Sequence, residues 1–288
     1  MTLEHGQFSL DGHVFGEGHG VYAAHVTFGG QAWRTNDVPN PVGHDLWMGT
    51  DYADLQPIVL DLKITGDSPA AADEELERFA NIWRAARKRG PGEESVLAWG
   101  KHGHTRRAYG RPRLFEPESG DLYVLETASG EASFQPNGPL VYQDTARELP
   151  LTITPGKAGG LVYPVVFPWG TVQGGSRQGI IAAGGGTVAT DDVQLMVRGP
   201  INRPIIRGPG WQVALSTNLA WDRYITIDAR KRTALWDNGS SAAGVLSRRT
   251  RLADITIPPG KSEIRFEGED QSGTSQLLVS WRPAYTSI

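Results

Sequence analysis

The 36 glycines and 19 prolines of this chain are spread along all 288 residues, and that scatter constrains the fold more than any other feature. A chain punctuated this often supports short strands joined by turns, not long helices. At 39% apolar and 21% charged residues the composition is ordinary for a soluble globular protein. The length is enough for two cores of ordinary size, at roughly 100–200 residues each.

In the stretch from Gln56 to Ile64, the residues Ile58, Leu60, Leu62 and Ile64 fall on one face and Val59, Asp61 and Lys63 on the other. This period of two predicts a half-buried strand. Gln7–Leu10 and Val21–Phe28 read as strands before it. One helix is predicted near 69–89. Ser68 can cap it, Pro69 suits its first position, and Asp73, Glu74, Glu75 and Glu77 sit near its positive end. Leu76, Phe79, Trp83 and Ala86 make one apolar stripe, Arg84, Arg87, Lys88 and Arg89 complement the negative end, and Gly90-Pro91-Gly92 stops it.

Strand signals return at Ser95–Trp99, Leu122–Glu126 and Ala132–Phe134, and a turn falls at Pro136-Asn137-Gly138-Pro139. Beyond Glu148 the reading is almost wholly β: Leu149–Ile153, Val193–Val197, Trp211–Leu215, Tyr224–Ile227, Thr233–Trp236, Ser262–Phe266 and Gln276–Trp281. Asp237-Asn238-Gly239 is a tight-turn signal that suits a hairpin. The fold class is therefore mainly β. An α+β domain over residues 1–145 carries the single clear helix, and an antiparallel β-sandwich follows over residues 146–288.

Several function classes are excluded or left without an anchor. There is no cysteine, so disulfides, thiolate metal sites and a thiol nucleophile are absent. A net charge of −4 gives no overall attraction to nucleic acid or an anionic membrane. No apolar run approaches the ~20 residues of a membrane span, and Met1–Leu10 lacks the pattern of a signal peptide. His102-Gly103-His104 supplies at most half of a metal site, next to the repelling charges of Lys101, Arg106 and Arg107. Gly16–Gly20 and Gly184–Thr187 lack a P-loop lysine and read as turns. No Gly-x-Ser-x-Gly elbow occurs. Asp191 and Asp192 would face opposite ways on a strand. The runs Arg106–Arg113 and Arg248–Arg251 read as solvated or salt-bridged faces, and Asn238-Gly239-Ser240 reads as a turn and not a glycosylation site. No catalytic residue, metal ligand or cofactor is expected.

Several segments resemble, in order, the distal tail proteins of siphophages. In the second half these are Gly199-Pro200-Ile201-Asn202-Arg203-Pro204-Ile205, Ile257-Pro258-Pro259-Gly260, Ser262–Phe266 and Leu278–Tyr285. In the first half they are Leu10-Asp11-Gly12, Gly43-His44-Asp45, Gly49-Thr50-Asp51, Ile58–Gly66, Phe134 and Pro139-Leu140-Val141-Tyr142. The resemblance covers nearly the whole chain. It implies a ring-forming (belt) first domain, a galectin-like second domain, and a homo-hexameric ring that joins the tail tube protein to the tail hub or tail-associated protein. The tape measure protein and receptor-binding proteins are further implied partners. It also implies a place in the virion at the tail tip, after assembly in the host bacterial cytoplasm.

Between Gly29 and Asp54 lies a long segment whose prolines exclude it from a central strand. Trp33, Trp47, Met48 and Tyr52 fall in it. Either these side chains dock onto a neighbouring subunit, or the loop folds back and buries them in its own domain. Two other functions fit a β-sandwich with tryptophans: a carbohydrate-binding module using Trp211, Trp221 or Trp236, and a glycoside hydrolase.

Overall fold

The computed structural model describes residues 2–84, 90–118, 127–153, 175–182, 184–270 and 272–286. They fall into two compact units, one of residues 1–144 with 286–288 and one of residues 145–285. The fold is mainly β with one α-helix among the described residues.

The first unit contains β1 (Gln7–Leu10), β2 (His13–Gly16), β3 (Val21–Thr27), β4 (Gln31–Arg34), β5 (Val38–Pro39), β6 (Leu46–Trp47), β7 (Tyr52–Leu55) and β8 (Ile58–Thr65). After α1 (Pro69–Arg84) come β9 (Ser95–Lys101), β10 (His104–Glu118), β11 (Thr127–Pro136) and β12 (Val141–Gln143). Its main antiparallel sheet runs β2-β1-β9-β10-β11-β8-β3, and β12 also lies against β10.

The period-two reading of β8 holds: Ile58, Leu60, Leu62 and Ile64 are all buried while Asp61 and Lys63 are exposed. At the other edge, β1 turns into β2 through Asp11-Gly12, whose φ angles of 51° and 95° lie in the left-handed region that glycine enters without strain. Helix α1 starts where Ser68 predicts, with the Ser68 hydroxyl accepting the Ala71 N–H at 3.2 Å. It lays Ala72, Phe79 and Trp83 on the sheet. There Phe79 meets Phe15, Trp83 and Phe115 at ring distances of 5.1–5.4 Å, and the Trp83 indole donates to the Leu114 carbonyl at 2.8 Å. The expected helix end at Arg87–Arg89 and the expected strand Leu122–Glu126 lie outside the described residues.

Strand β10 is the main departure from the sequence reading, which took Arg106–Arg113 for a basic surface run. It is the backbone of the sheet. Residues 104–110 pair with β9, Arg106 and Arg107 also pair with β12, and the half beyond Gly110 pairs with β11. Two of its four cations are absorbed locally: Arg107 binds Asp144, and Arg111 donates to the carbonyls of Gly90 and Glu93. Backbone pairing on both edges outweighs the weak strand preference of the side chains.

The second unit contains β13 (Arg147–Thr152), β14 (Gly175–Ile181), β15 (Val193–Arg198), β16 (Ile201–Gly208), β17 (Trp211–Ala214), β18 (Asn218–Leu219), β19 (Tyr224–Asp228), β20 (Thr233–Trp236), β21 (Ser262–Glu269) and β22 (Gln276–Trp281). One sheet runs β13-β22-β15-β19-β20, and the other runs β14-β21-β16-β17 with β18 on β16. Leu195, Ile227 and Val279 from the first and Ile206, Val213 and Phe266 from the second join a single apolar cluster, so the two sheets form a sandwich. The expected turn at Asp237-Asn238-Gly239 forms, but the returning strand is only a bridge between Leu235 and Ser241. The chain then continues along β17, where Ser247 donates to Ala214 at 2.9 Å and covers a sheet edge.

Candidate subunit-interface arm

Between β3 and β8 the chain leaves the main sheet as a β-ribbon. The sequence reading expected an irregular loop. Instead, β4 pairs with β7, placing Trp33 opposite Ala53 and Arg34 opposite Tyr52. Beyond them β5 pairs with β6, placing Val38 opposite Trp47 and Pro39 opposite Leu46. Pro39 is tolerated because a two-stranded ladder consists only of edges.

Polar side chains shape the tip. The Asn40 side-chain oxygen accepts the Val42 N–H at 3.1 Å, and the Asn40 N–H donates to the Asp45 carbonyl at 2.9 Å. Asp37 reaches across to accept the Gly49 N–H at 2.9 Å. A Cβ at Gly49 would stand 2.2 Å from the Asn36 carbonyl oxygen, so only glycine lets the two strands approach there. At the root, the Gln135 amide donates to the Leu55 carbonyl at 3.0 Å.

Trp33, Trp47, Met48 and Tyr52 are 58%, 59%, 79% and 55% exposed, so this chain does not bury them in its own domain. Arg34 lies 5.8 Å from the Tyr52 ring centre, which covers part of one face. Val38, Val42 and Leu46 are exposed with them. The arm therefore holds seven of the eleven large exposed apolar side chains among the described residues. The sequence reading missed these three, although apolar residues in a segment rich in Pro, Gly and Asp were the available signal. An apolar concentration of this kind marks an interaction surface. A two-stranded ribbon whose apolar side chains stay exposed gains little stability by itself.

The other candidates disperse. His102-Gly103 is the turn between β9 and β10, with the His102 ring stacked on His5 at 4.6 Å. Among the described residues no three His, Asp or Glu side chains are grouped closely enough to hold a metal ion. Trp211 is buried and donates to the Thr256 carbonyl at 2.7 Å. Trp236 is half-buried beneath Arg223, 5.4 Å from its ring. Trp221 alone of the three stands out, at 71% exposed. Asp192 pairs with Arg282 at 3.5 Å. The glycines at 184–186 are packed turns, with a Cβ at Gly186 falling 2.1 Å from the Ala284 carbonyl oxygen. Asn238 accepts the Ser240 N–H at 3.0 Å within its own turn. No helix among the described residues is long and apolar enough to cross a membrane.

Solved structures share this two-unit, mainly antiparallel fold. The chain is similar to the Dit protein (gp 19.1) of phage SPP1, with a TM-score of 0.60 at 10% identity over 96% of this chain and 98% of that one. That protein is described as a paradigm of the hub adsorption apparatus of phages infecting Gram-positive bacteria. The chain is also similar to chains of the phage P2 baseplate in its activated conformation, with TM-scores of 0.54 at 14% and 15% identity over 93% of this chain and 99% of those. No protein-family model matches, and the search of curated proteins gives no match. The shared fold is that of the distal tail protein the sequence resembles.

Proposed function

We propose that this chain is a non-enzymatic structural component of a phage tail tip, a distal tail protein that closes into a homo-hexameric ring. The first unit is the ring-forming domain and the second a galectin-like sandwich. The ring joins the tail tube protein to the tail hub or tail-associated protein, with the tape measure protein and receptor-binding proteins as further neighbours. The virion tail tip is its place, after assembly in the host bacterial cytoplasm.

The observation that carries this reading is the exposed apolar arm on a chain whose fold is that of a phage hub protein. A cyclic ring uses one head-to-tail contact repeated around an axis, so each copy needs a projecting element and a different receiving face. Trp33, Trp47, Met48 and Tyr52 supply the aromatic and methionine anchors of the projecting element. Charge supports the same reading. The first unit has 21 acidic against 12 basic side chains, formally −9. A channel lined by it would repel DNA and let it pass.

The test is the mass of the purified chain in solution, with negative-stain images of the same sample. Six chains of 31.3 kDa give about 188 kDa and a ring with a central hole. A carbohydrate-binding role is the second reading and rests on the exposed Trp221. Glycan binding by a chain of monomeric mass, abolished by Trp221→Ala, would replace the ring reading.

A further inference from the structure

We infer that the receiving face of the ring contact is an apolar groove at the root of the arm, and that Trp47 from the arm tip of a second copy fills it. This rests on the ring reading above and names the partner site that the reading leaves open.

The groove has a volume of about 390 Å³ and is lined by Phe28, Leu55, Ile58, Leu140 and Val141, with Asp54 and Lys101 as its charged members. This is the size and character of a pocket that takes one large apolar group. It is built from rigid parts. Ile58 and Val141 belong to the buried cluster of the first unit, and the Gln135–Leu55 hydrogen bond holds the wall contributed by β7. Leu140, half-buried, presents its side chain at the edge.

The arm tip is its chemical counterpart. Val38, Leu46, Trp47 and Met48 are exposed together there. Over residues 31–55 the arm has four aspartates, Asp37, Asp45, Asp51 and Asp54, against the single Arg34. Asp37 is engaged with Gly49, and Asp54 lines the groove of its own chain, which leaves Asp45 and Asp51 exposed beside Trp47. On the groove side, the exposed Lys101 stands in the lining together with Asp54. An acidic apolar tip thus meets an apolar groove whose lining includes the Lys101 ammonium.

Within one chain this contact is not made, since Trp47 is 59% exposed and does not line the groove. The tip strand begins seven residues beyond Gln31, up to roughly 20 Å from the root in extended chain. The tip therefore fills the groove of another copy. One tip and one groove at opposite ends of a ribbon generate a head-to-tail contact that is able to close.

The absence of cysteine makes the test direct. Trp47→Cys and Leu140→Cys are made separately, mixed, and treated with a short bismaleimide. The expected product of the mixture is a dimer of one chain of each kind, and the double variant gives a ladder of linked chains. In parallel, Leu140→Arg and Trp47→Ala each weaken self-association by at least about ten-fold, while Trp47→Phe restores part of it. Ring-sized assembly of the unaltered protein without the mixed cross-link, or unchanged by Leu140→Arg, overturns the groove and leaves the ring reading standing. An unaltered chain that remains at 31.3 kDa at every concentration overturns both.

Discussion

The guanidinium of Arg107 donates twice to one oxygen of Asp144, at 2.9 Å from Nε and 2.5 Å from its terminal nitrogen. This joins the first third of β10 to the residue that follows β12. The side chains are only 19% and 6% exposed. Burial by itself would lower the Arg107 pKa, but the hydrogen bonds and charge interactions with Asp144 and Tyr109 together outweigh it, and the pKa lies above its ordinary value. Asp144→Ala strands a buried cation and costs about 3 kcal/mol. Arg107→Met combined with Asp144→Leu costs much less, because no charge is left alone. Urea unfolding of the three proteins measures the difference.

Asp270 organises the loop between β21 and β22. Its two oxygens accept the N–H groups of Ser272, Gly273 and Ser275 at 2.8–3.0 Å, along with the Ser272 hydroxyl at 2.7 Å. Burial pushes this carboxyl upward, but the hydrogen bonds, led by the Ser275 N–H, prevail and hold it below the ordinary 3.8. A depressed carboxylate stabilises the fold fully above its unfolded-state pKa, and that contribution fades as pH falls through the folded-state value. The second unit is therefore expected to lose stability below about pH 4. Asp270→Asn removes this part of the acid sensitivity and costs at least about 2 kcal/mol near neutrality. Thermal melts across the acid range check both.

Trp83 anchors the helix, with its ring 1% exposed and its N–H on the Leu114 carbonyl. Trp83→Ala is expected to cost about 3–5 kcal/mol, and Trp83→Phe less, with the Leu114 carbonyl losing its partner. Denaturant unfolding followed by far-UV circular dichroism reports it.

The arm side chains behave in the opposite way. Since Trp33 and Trp47 are more than half exposed, Trp33→Ala and Trp47→Ala each change monomer stability by less than about 0.5 kcal/mol while weakening assembly. Equal losses in unfolding and in assembly would place these residues in the core and not at an interface.

Gly49→Ala forces its Cβ against the Asn36 carbonyl. It is expected to splay the tip strands, expose the arm to limited proteolysis between Asn36 and Gly49, and lower assembly without unfolding the main sheet. A cleavage pattern identical to that of the unaltered protein would show that the strands adapt.

Much of the architecture is local and was legible in the residues. The period of two in Ile58–Ile64 identified β8, because one face meets the core and the other does not. Ser68-Pro69 set the start of α1, since the orphan N–H groups of its first turn need an acceptor at that position. By contrast, β2 went unread although Asp11-Gly12 is a hairpin signal, and β10 went unread because its polar run has no period.

The sequence by itself determined the turns, the cap and the alternating apolar faces, because these depend on neighbours within a few residues. It also fixed the chemistry available: no thiol, and an acidic segment carrying Trp33, Trp47, Met48 and Tyr52. Tertiary structure decided which strands pair at long range and which charges are neutralised, as when Asp144 meets Arg107 across 37 positions. It also decided that the four arm residues stay in solvent while Trp83, Trp99 and Trp211 do not. Burial is a property of what lies on the far side of a side chain, and among the described residues no second layer lies over the arm.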